Sequence, residues 1–197
     1  MIENERRKDL FVSLVIIPII FIIVSVLANK YRMDIITHLD YGFISMIIYV
    51  LIGIISILII PIPAITFVPI GVVIWGSFTT VLLSIFSWTV GAVITFLIAQ
   101  KYYGNLFLKR IYPFRKLEEY EKRYGEKTFF TIVLVLRMFI PVGILSYALG
   151  TFSNMRLKLY ITATAVGMLP ASIVVSYVPE IITQLHVVVI DFLISIY

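Results

Sequence analysis

The stretch Tyr41–Gln100, YGFISMIIYVLIGIISILIIPIPAITFVPIGVVIWGSFTTVLLSIFSWTVGAVITFLIAQ, decides the fold. It runs for 60 residues without Asp, Glu, Lys, Arg or His. A bilayer crossing takes about 20 mostly apolar residues, so three straight helices would use up the run. Pro61, Pro63 and Pro69, with Gly71 and Gly76, interrupt it and remove backbone donors from its middle. In hydrocarbon, non-helical backbone persists only where protein buries it or where it lines a polar cavity. The predicted arrangement is a re-entrant hairpin over Tyr41–Gly76 with its tip at Pro61–Pro69, followed by a full crossing over Ser77–Gln100.

Downstream the pattern repeats. Thr128–Asn154 is 27 residues long with one charge, Arg137, and carries Pro141, Gly143 and Gly150. That is too long for one interrupted helix and too short for two crossings, which predicts a second hairpin turning near Pro141–Gly143. Leu159–Val178 and the shorter Ile181–Tyr197, which carries His186 and Asp191, read as two ordinary spans. Upstream, Leu10–Ala28 is an uncharged run of 19 residues directly after Arg6, Arg7 and Lys8. Val26-Leu27-Ala28 resembles a signal-peptide cleavage site, but the apolar run exceeds the usual h-region, so it is read as a first transmembrane helix. The expected fold is an all-α integral membrane protein with about four transmembrane helices plus two opposed re-entrant helical hairpins, built like an inverted-repeat transporter. Its parts are an amino-terminal tail, first helix and outer loop over 1–40, a core over 41–178, and a carboxy-terminal transmembrane helix over 179–197.

Composition agrees. Of 197 residues 61% are hydrophobic and 14% charged, against about 45–50% and 25% in soluble domains. A water-soluble core of this size has no room for so much apolar surface. The net charge of +5 reads as topology rather than nucleic-acid binding, because basic residues in membrane proteins collect in cytoplasmic loops. Lys and Arg number three in the amino-terminal tail, eight over Lys101–Lys127 and two at Arg156 and Lys158, against two, Lys30 and Arg32, after the first helix. With one hairpin entering from outside and the other from inside, 13 of the 15 loop charges share the inner side. Within Asn105–Lys127, Phe114, Leu117, Tyr120 and Tyr124 recur at spacings of three and four, between a Pro113 able to start a helix and a Gly125 able to end one. The segment reads either as an interfacial amphipathic helix or as a connector packed on the bundle.

Arg137 is the strongest single signal. A guanidinium at membrane depth costs at least about 2.5–3.5 kcal/mol and therefore faces a partner, backbone carbonyls or a polar cavity. Its fork suits a phosphate. It equally suits a structural role, pinning hairpin carbonyls or pairing with Asp191. The candidate substrate-binding residues are Arg137, Pro141, Gly143 and Pro63, the prolines chiefly shaping the two tips. Gly71, Gly91, Gly150, Gly167 and Pro170 read as hairpin and packing residues. Asp191 is a proton or pairing site. His38 and His186 lie near segment ends without metal-ligand spacing, and no cysteine is present. No nucleophile has a base in reach, so no enzyme, no metal and no cofactor is expected.

Several residues resemble a known family. Pro63-Ala64, Gly71, Gly76, Gly91 and Tyr103-Gly104 resemble the first half of the DedA/VTT-domain membrane proteins, also called SNARE-associated Golgi proteins. Arg137-Met138-Phe139-Ile140-Pro141, Gly150, Thr164, Gly167 and Pro170 resemble the second half. The resemblance covers Ile60 to Val178. It implies two facing re-entrant hairpins and movement of lipids across the bilayer, linked in bacterial relatives to polyprenyl-phosphate carriers and proton-dependent homeostasis. The chain departs from the family's common pattern at Ala64, at Gly143, where many members carry a second arginine, and in having no acid over Tyr41–Gln100.

The expected function is a lipid flippase or scramblase for a phospholipid or polyprenyl-phosphate carrier. An ion-coupled transporter of a small solute and a non-transporting membrane-homeostasis scaffold are the alternatives. Expected partners are membrane lipids with an anionic head group, with no nucleic acid, and self-association is compatible with the reading. The expected location is a prokaryotic plasma membrane, with the amino terminus cytoplasmic.

Overall fold

A computed structural model describes residues 18–38, 42–59, 64–102 and 116–196. The elements are α1 (Pro18–Lys30), α2 (Arg32–His38), α3 (Phe43–Leu58), a short 3-10 turn (Ala64–Phe67), α4 (Val68–Tyr102), α5 (Lys116–Phe139), α6 (Val142–Phe152) and α7 (Leu157–Ile196). Among the described residues there is no strand. Among the described residues, Ala64–Lys101 and Leu157–Ile181 are long and apolar enough to cross a membrane, and α3 and α6 are apolar but shorter; the expected first helix over Leu10–Ala28 lies partly outside the described residues. At 1.5 Å per residue, the 16 residues of α3 and 11 of α6 reach about 24 Å and 16 Å, short of a hydrocarbon core of about 30 Å.

Two helices are broken at glycine. Gly76 inside α4 has φ 78° and ψ 167°, and Gly125 inside α5 has φ 74° and ψ 169°. This backbone region is essentially reserved for glycine, so each helix divides there into two segments at an angle.

Contacts give the directions of the first half. Tyr49 Oη lies 2.8 Å from Ser84 Oγ, a Cβ on Gly53 would meet the Ser87 side chain, and one on Gly91 would meet Ile57. Numbers rise together in these pairs, so α3 runs parallel to the segment after Gly76. Gly71 sits against both Tyr49 and Thr80, which places Val68–Trp75 antiparallel to both. Pro61 and Pro63, expected at the tip, lie outside the described residues. Pro69 does not belong to the tip: it sits in the first turn of α4, where a missing N–H leaves no bond unmade.

In the second half, α5 breaks at Ile140 and Pro141, and α6 starts at Val142. The turn therefore falls just before the expected Pro141–Gly143 centre, with Gly143 already in the first turn of α6. Gly150 of α6 lies against the Phe96 carbonyl, and Gly167 of α7 against Arg137 and Leu134. Tyr147 Oη donates to the Leu58 carbonyl at 3.4 Å, joining α6 to the end of α3.

One expectation needs correction. The segments Leu159–Val178 and Ile181–Tyr197 are not separate helices, because α7 continues from Leu157 to Ile196 through Pro170 and Pro179. A proline removes one ladder bond and kinks a helix, and neighbouring helices in an apolar bundle tolerate that loss.

The core is apolar, as in a soluble protein, but the exterior is apolar too and many hydroxyl residues lie inside. Ile47, Leu51 and Ile55 of α3, Phe78, Leu82 and Phe86 of α4, and Val166, Leu169, Ile173 and Tyr177 of α7 are exposed. Ser77, Thr80, Ser84, Ser87 and Thr95 of α4 and Thr164, Ser172 and Ser176 of α7 are buried. Small hydroxyl residues at close helix contacts and a continuous aliphatic exterior suit hydrocarbon surroundings.

Candidate functional site

Arg137 ends the last full turn of α5 and is 3% exposed. Its side chain reaches both α6 and α7. Nη1 donates to the Val142 carbonyl at 3.0 Å and to Ser146 Oγ at 3.1 Å. Nη2 donates to Tyr160 Oη at 2.7 Å and to Thr164 Oγ1 at 3.0 Å. Nε, the fifth N–H donor, is buried without a partner.

The partners are themselves held. Ser146 Oγ donates to the Val142 carbonyl at 2.6 Å, and Tyr160 Oη donates to the Ala92 carbonyl at 3.0 Å. The Tyr160 ring stacks on Phe96 with centroids 4.2 Å apart, and the guanidinium carbon stands 5.2 Å from the Tyr160 centroid. One network thus ties α4, α5, α6 and α7 together.

Its electrostatics are unusual in one respect. Every hydrogen-bond partner named is neutral. Hydrogen bonds between helices in membranes are worth about 1–2 kcal/mol each in model peptides. Four of them, at that value or at the bundle average of about 0.6 kcal/mol, are of the same order as the roughly 2.5–3.5 kcal/mol insertion cost of an arginine. The cation is therefore held by dipoles and keeps its formal charge uncompensated by these groups.

The structure brings Arg137 and Gly167 together, sets Gly143 next in sequence to the Val142 carbonyl that Arg137 bonds, and places the other candidates apart. Pro141 is exposed just before α6, and its carbonyl accepts from the Leu145 N–H at 3.1 Å. Gly71, Gly91 and Gly150 occupy helix contacts: Gly71 on Thr80 and Tyr49, Gly91 on Ile54 and Ile57, and Gly150 on Phe96 and Ala99. Pro170 lies inside α7. Pro63 and the side chain of Asp191 are outside the described residues, so pairing of Asp191 with Arg137 lies outside them too. His38 ends α2, and no group of three or more potential metal ligands occurs among the described residues.

Sequence reasoning missed Ser146 and Tyr160, and met Thr164 only through the resemblance. The available signal was spacing. Tyr160 and Thr164 are four apart on one helix face, and Ser146 lies four after Val142.

At its amino end, α7 follows a turn braced by α5. Glu121 Oε2 accepts from the Asn154 N–H at 2.9 Å, and Glu126 pairs with Arg156 at 3.1 Å.

No curated protein and no solved structure matches the chain. The family model of the VTT domain matches residues 60–180. That match includes the broken α4, the whole Arg137 network and α7 up to Glu180. A chain so matched over more than half its length, with apolar helices and an aliphatic exterior, belongs to the VTT domain family of membrane proteins.

Proposed function

We propose that the protein moves a lipid with an anionic head group, a phospholipid or a polyprenyl phosphate, from one leaflet to the other. The observation that carries this reading is Arg137: a buried guanidinium whose partners are neutral hydroxyls and one carbonyl, with Nε still unpaired. Neutral partners exchange readily for phosphate oxygens, which bind a guanidinium more strongly and bidentately. A carboxylate partner would compete with them.

In the membrane placement that accompanies this reading, α3 and Val68–Trp75 form a hairpin entering from outside, and α5 with α6 forms one entering from inside. The contact between Tyr147 and the Leu58 carbonyl supports their meeting at depth. Half-elements opposed in this way shorten the polar distance a head group has to travel, while its tail stays in lipid. Leu157–Ile181 and the segment after Gly76 are the flanking crossings.

Reconstitution tests the reading. Purified protein in vesicles carrying fluorescent phospholipids or polyprenyl phosphates is expected to make inner-leaflet label accessible to an external quencher, with anionic head groups moving faster than zwitterionic ones. Rates equal to those of protein-free vesicles for the whole panel overturn it. Placement is tested separately, since no native cysteine exists. A cysteine at Lys116 is expected to label only from the cytoplasm and one at Asp34 only from outside. Labelling of position 116 in intact cells by an impermeant reagent refutes the opposed hairpins.

A further inference from the structure

The surroundings of Arg137 hold more hydrogens to give than oxygens to take them. Every N–H of a guanidinium is a donor. Both hydrogens of Nη1 go to α6, to the Val142 carbonyl and Ser146 Oγ, and both of Nη2 go to α7, to Tyr160 Oη and Thr164 Oγ1. The hydrogen of Nε has no acceptor. Of the hydroxyls, Ser146 places its own hydrogen on the Val142 carbonyl at 2.6 Å and Tyr160 on the Ala92 carbonyl at 3.0 Å. Thr164 differs. Thr80, Thr95 and Thr151 each donate to the carbonyl four residues before, a common bond for threonine within a helix. Thr164 is 0% exposed, its Oγ1 meets Arg137, and its hydrogen has no acceptor among the described residues.

The two unmatched donors belong to one edge of the site. In a guanidinium Nε and Nη2 point hydrogens to the same side, and such a pair grips two oxygens of a phosphate at once. Thr164 Oγ1 stands 3.0 Å from Nη2. A Cβ on Gly167, three residues further along α7, would meet Cβ and Cγ of Arg137. Helix α7 therefore follows this edge from the stem of the side chain to its head. No Asp or Glu occurs over Tyr41–Gln100 or Lys127–Pro179, the stretches that supply the network. The edge thus lacks acceptors and a negative charge together.

We propose that the Nε–Nη2 edge of Arg137 and the Thr164 hydroxyl together seat a phosphate, the edge gripping it side-on and Thr164 giving it a further hydrogen. Tyr160 plays the opposite part: with its hydrogen on the Ala92 carbonyl, it offers a phosphate only a lone pair and yields its place on Nη2. The Val142 carbonyl and Ser146 keep Nη1, so α6 anchors the guanidinium while its α7 side changes partners. Arg137 is 3% exposed, and the seat opens by displacement of the α7 segment before Pro170. That proline lies inside the helix and has no N–H for the Val166 carbonyl, so bending there breaks one ladder bond fewer. The proposal rests on the transport reading only for the lipid that carries the phosphate.

The test uses the full chain in phosphatidylcholine nanodiscs. Thermal unfolding is followed while phosphatidylglycerol replaces part of the lipid, or while inorganic phosphate replaces chloride at constant ionic strength. The wild type is expected to gain stability with rising phosphatidylglycerol, and Arg137→Lys, which lacks the edge, to lose most of that gain. Thr164→Val keeps the shape without the hydroxyl and is expected to weaken apparent affinity about tenfold, the loss of one hydrogen bond to a charged group. Thr164→Ser is expected to restore it, and Tyr160→Phe, which removes a competing oxygen, to tighten binding. Thr164→Ala replaces the valine variant should that one fail to fold. A merely structural Thr164 would lower the unfolding temperature of its variant without moving the half-saturation point. That result overturns the proposal, as does a Tyr160→Phe weakened as much as Thr164→Val. Stabilisation by inorganic phosphate and not by phosphatidylglycerol upholds the seat but overturns the lipid reading. Stabilisation by neither, in a protein that still moves phospholipid between leaflets, overturns the seat alone.

Discussion

The two broken halves of the core solve the same problem with different chemistry. In the first, α3 and Val68–Trp75 lie against the rest of α4 through close approach, with Gly53, Gly71 and Gly91 each in contact with a facing helix. Its polar link between helices is the neutral Tyr49–Ser84 pair at 2.8 Å. In the second, a single cation joins the end of α5 to α6 and α7 through four donors. Close packing dominates the first half, and the second adds a buried cation to the tight contacts of Gly150 and Gly167. A packed contact fixes one geometry, whereas a cation held by neutral groups can exchange one set of oxygens for another.

The largest expected effect follows from removing the cation. Arg137→Ala takes a donor from Ser146, Tyr160 and Thr164, while the Val142 carbonyl keeps the Ser146 hydroxyl; at about 1–3 kcal/mol for a buried group left unsatisfied, a loss of about 3 kcal/mol in stability is expected. Lipid transport in vesicles is expected to disappear as well. Arg137→Lys keeps the charge but not the planar fork, and partial transport is expected. An Arg137→Ala protein transporting at the wild-type rate would break the distinction between the halves.

Next come the packing glycines. A Cβ on Gly150 would run into the Phe96 backbone carbonyl, which cannot move aside, whereas one on Gly53 would meet the Ser87 side chain. Gly150→Ala is expected to cost about 2 kcal/mol, within the overpacking range, and Gly53→Ala clearly less, because Ser87 can rotate. Unfolding in detergent by a graded denaturant ranks them, and the reverse order would mean that α3 is the more tightly fixed element.

Gly76→Ala comes third. No atom lies within 4 Å of its added Cβ, so the cost is purely conformational, about 1–3 kcal/mol for a non-glycine residue in that backbone region. The same experiment reads it, and a neutral result would show that the break relaxes into a continuous helix. The smallest effect is expected for Tyr49→Phe, about 0.6 kcal/mol, the average for a hydrogen bond inside a membrane bundle. A loss as large as that of Arg137→Ala would mean that the first half also depends on its polar link.

Much of this was legible from residue types that leave no choice. Prolines in an apolar run announce broken helix, and the second break falls at Ile140 and Pro141 as the run over Thr128–Asn154 implies. Gly125 reads as a helix end and has the positive φ of one. The family resemblance, placed at Ile60 to Val178, meets a match over 60–180. What failed to show was whatever depends on tolerance or on distance. Leu159–Val178 and Ile181–Tyr197 read as two spans, yet α7 passes through Pro179 between them because a lost ladder bond costs little when neighbouring helices support the chain. Pro69 reads as part of a tip but serves as a first-turn residue. The partners of Arg137 were hidden because serine, threonine and tyrosine are ordinary in apolar helices, and nothing local says which hydroxyl a guanidinium will reach across 23 residues of chain.

The order of those partners along the chain has a consequence for biosynthesis. Val142 and Ser146 follow Arg137 by 5 and 9 residues, but Tyr160 and Thr164 follow it by 23 and 27. A ribosome adding about 5–20 residues per second therefore delivers the later pair roughly one to five seconds after the arginine itself. For that interval the nascent chain carries a guanidinium with half of its final contacts, and bare lipid is a poor place for it to wait. The α5–α6 unit is thus expected to stay beside the insertion machinery, or against the already inserted α4, until α7 emerges to release it into the bilayer.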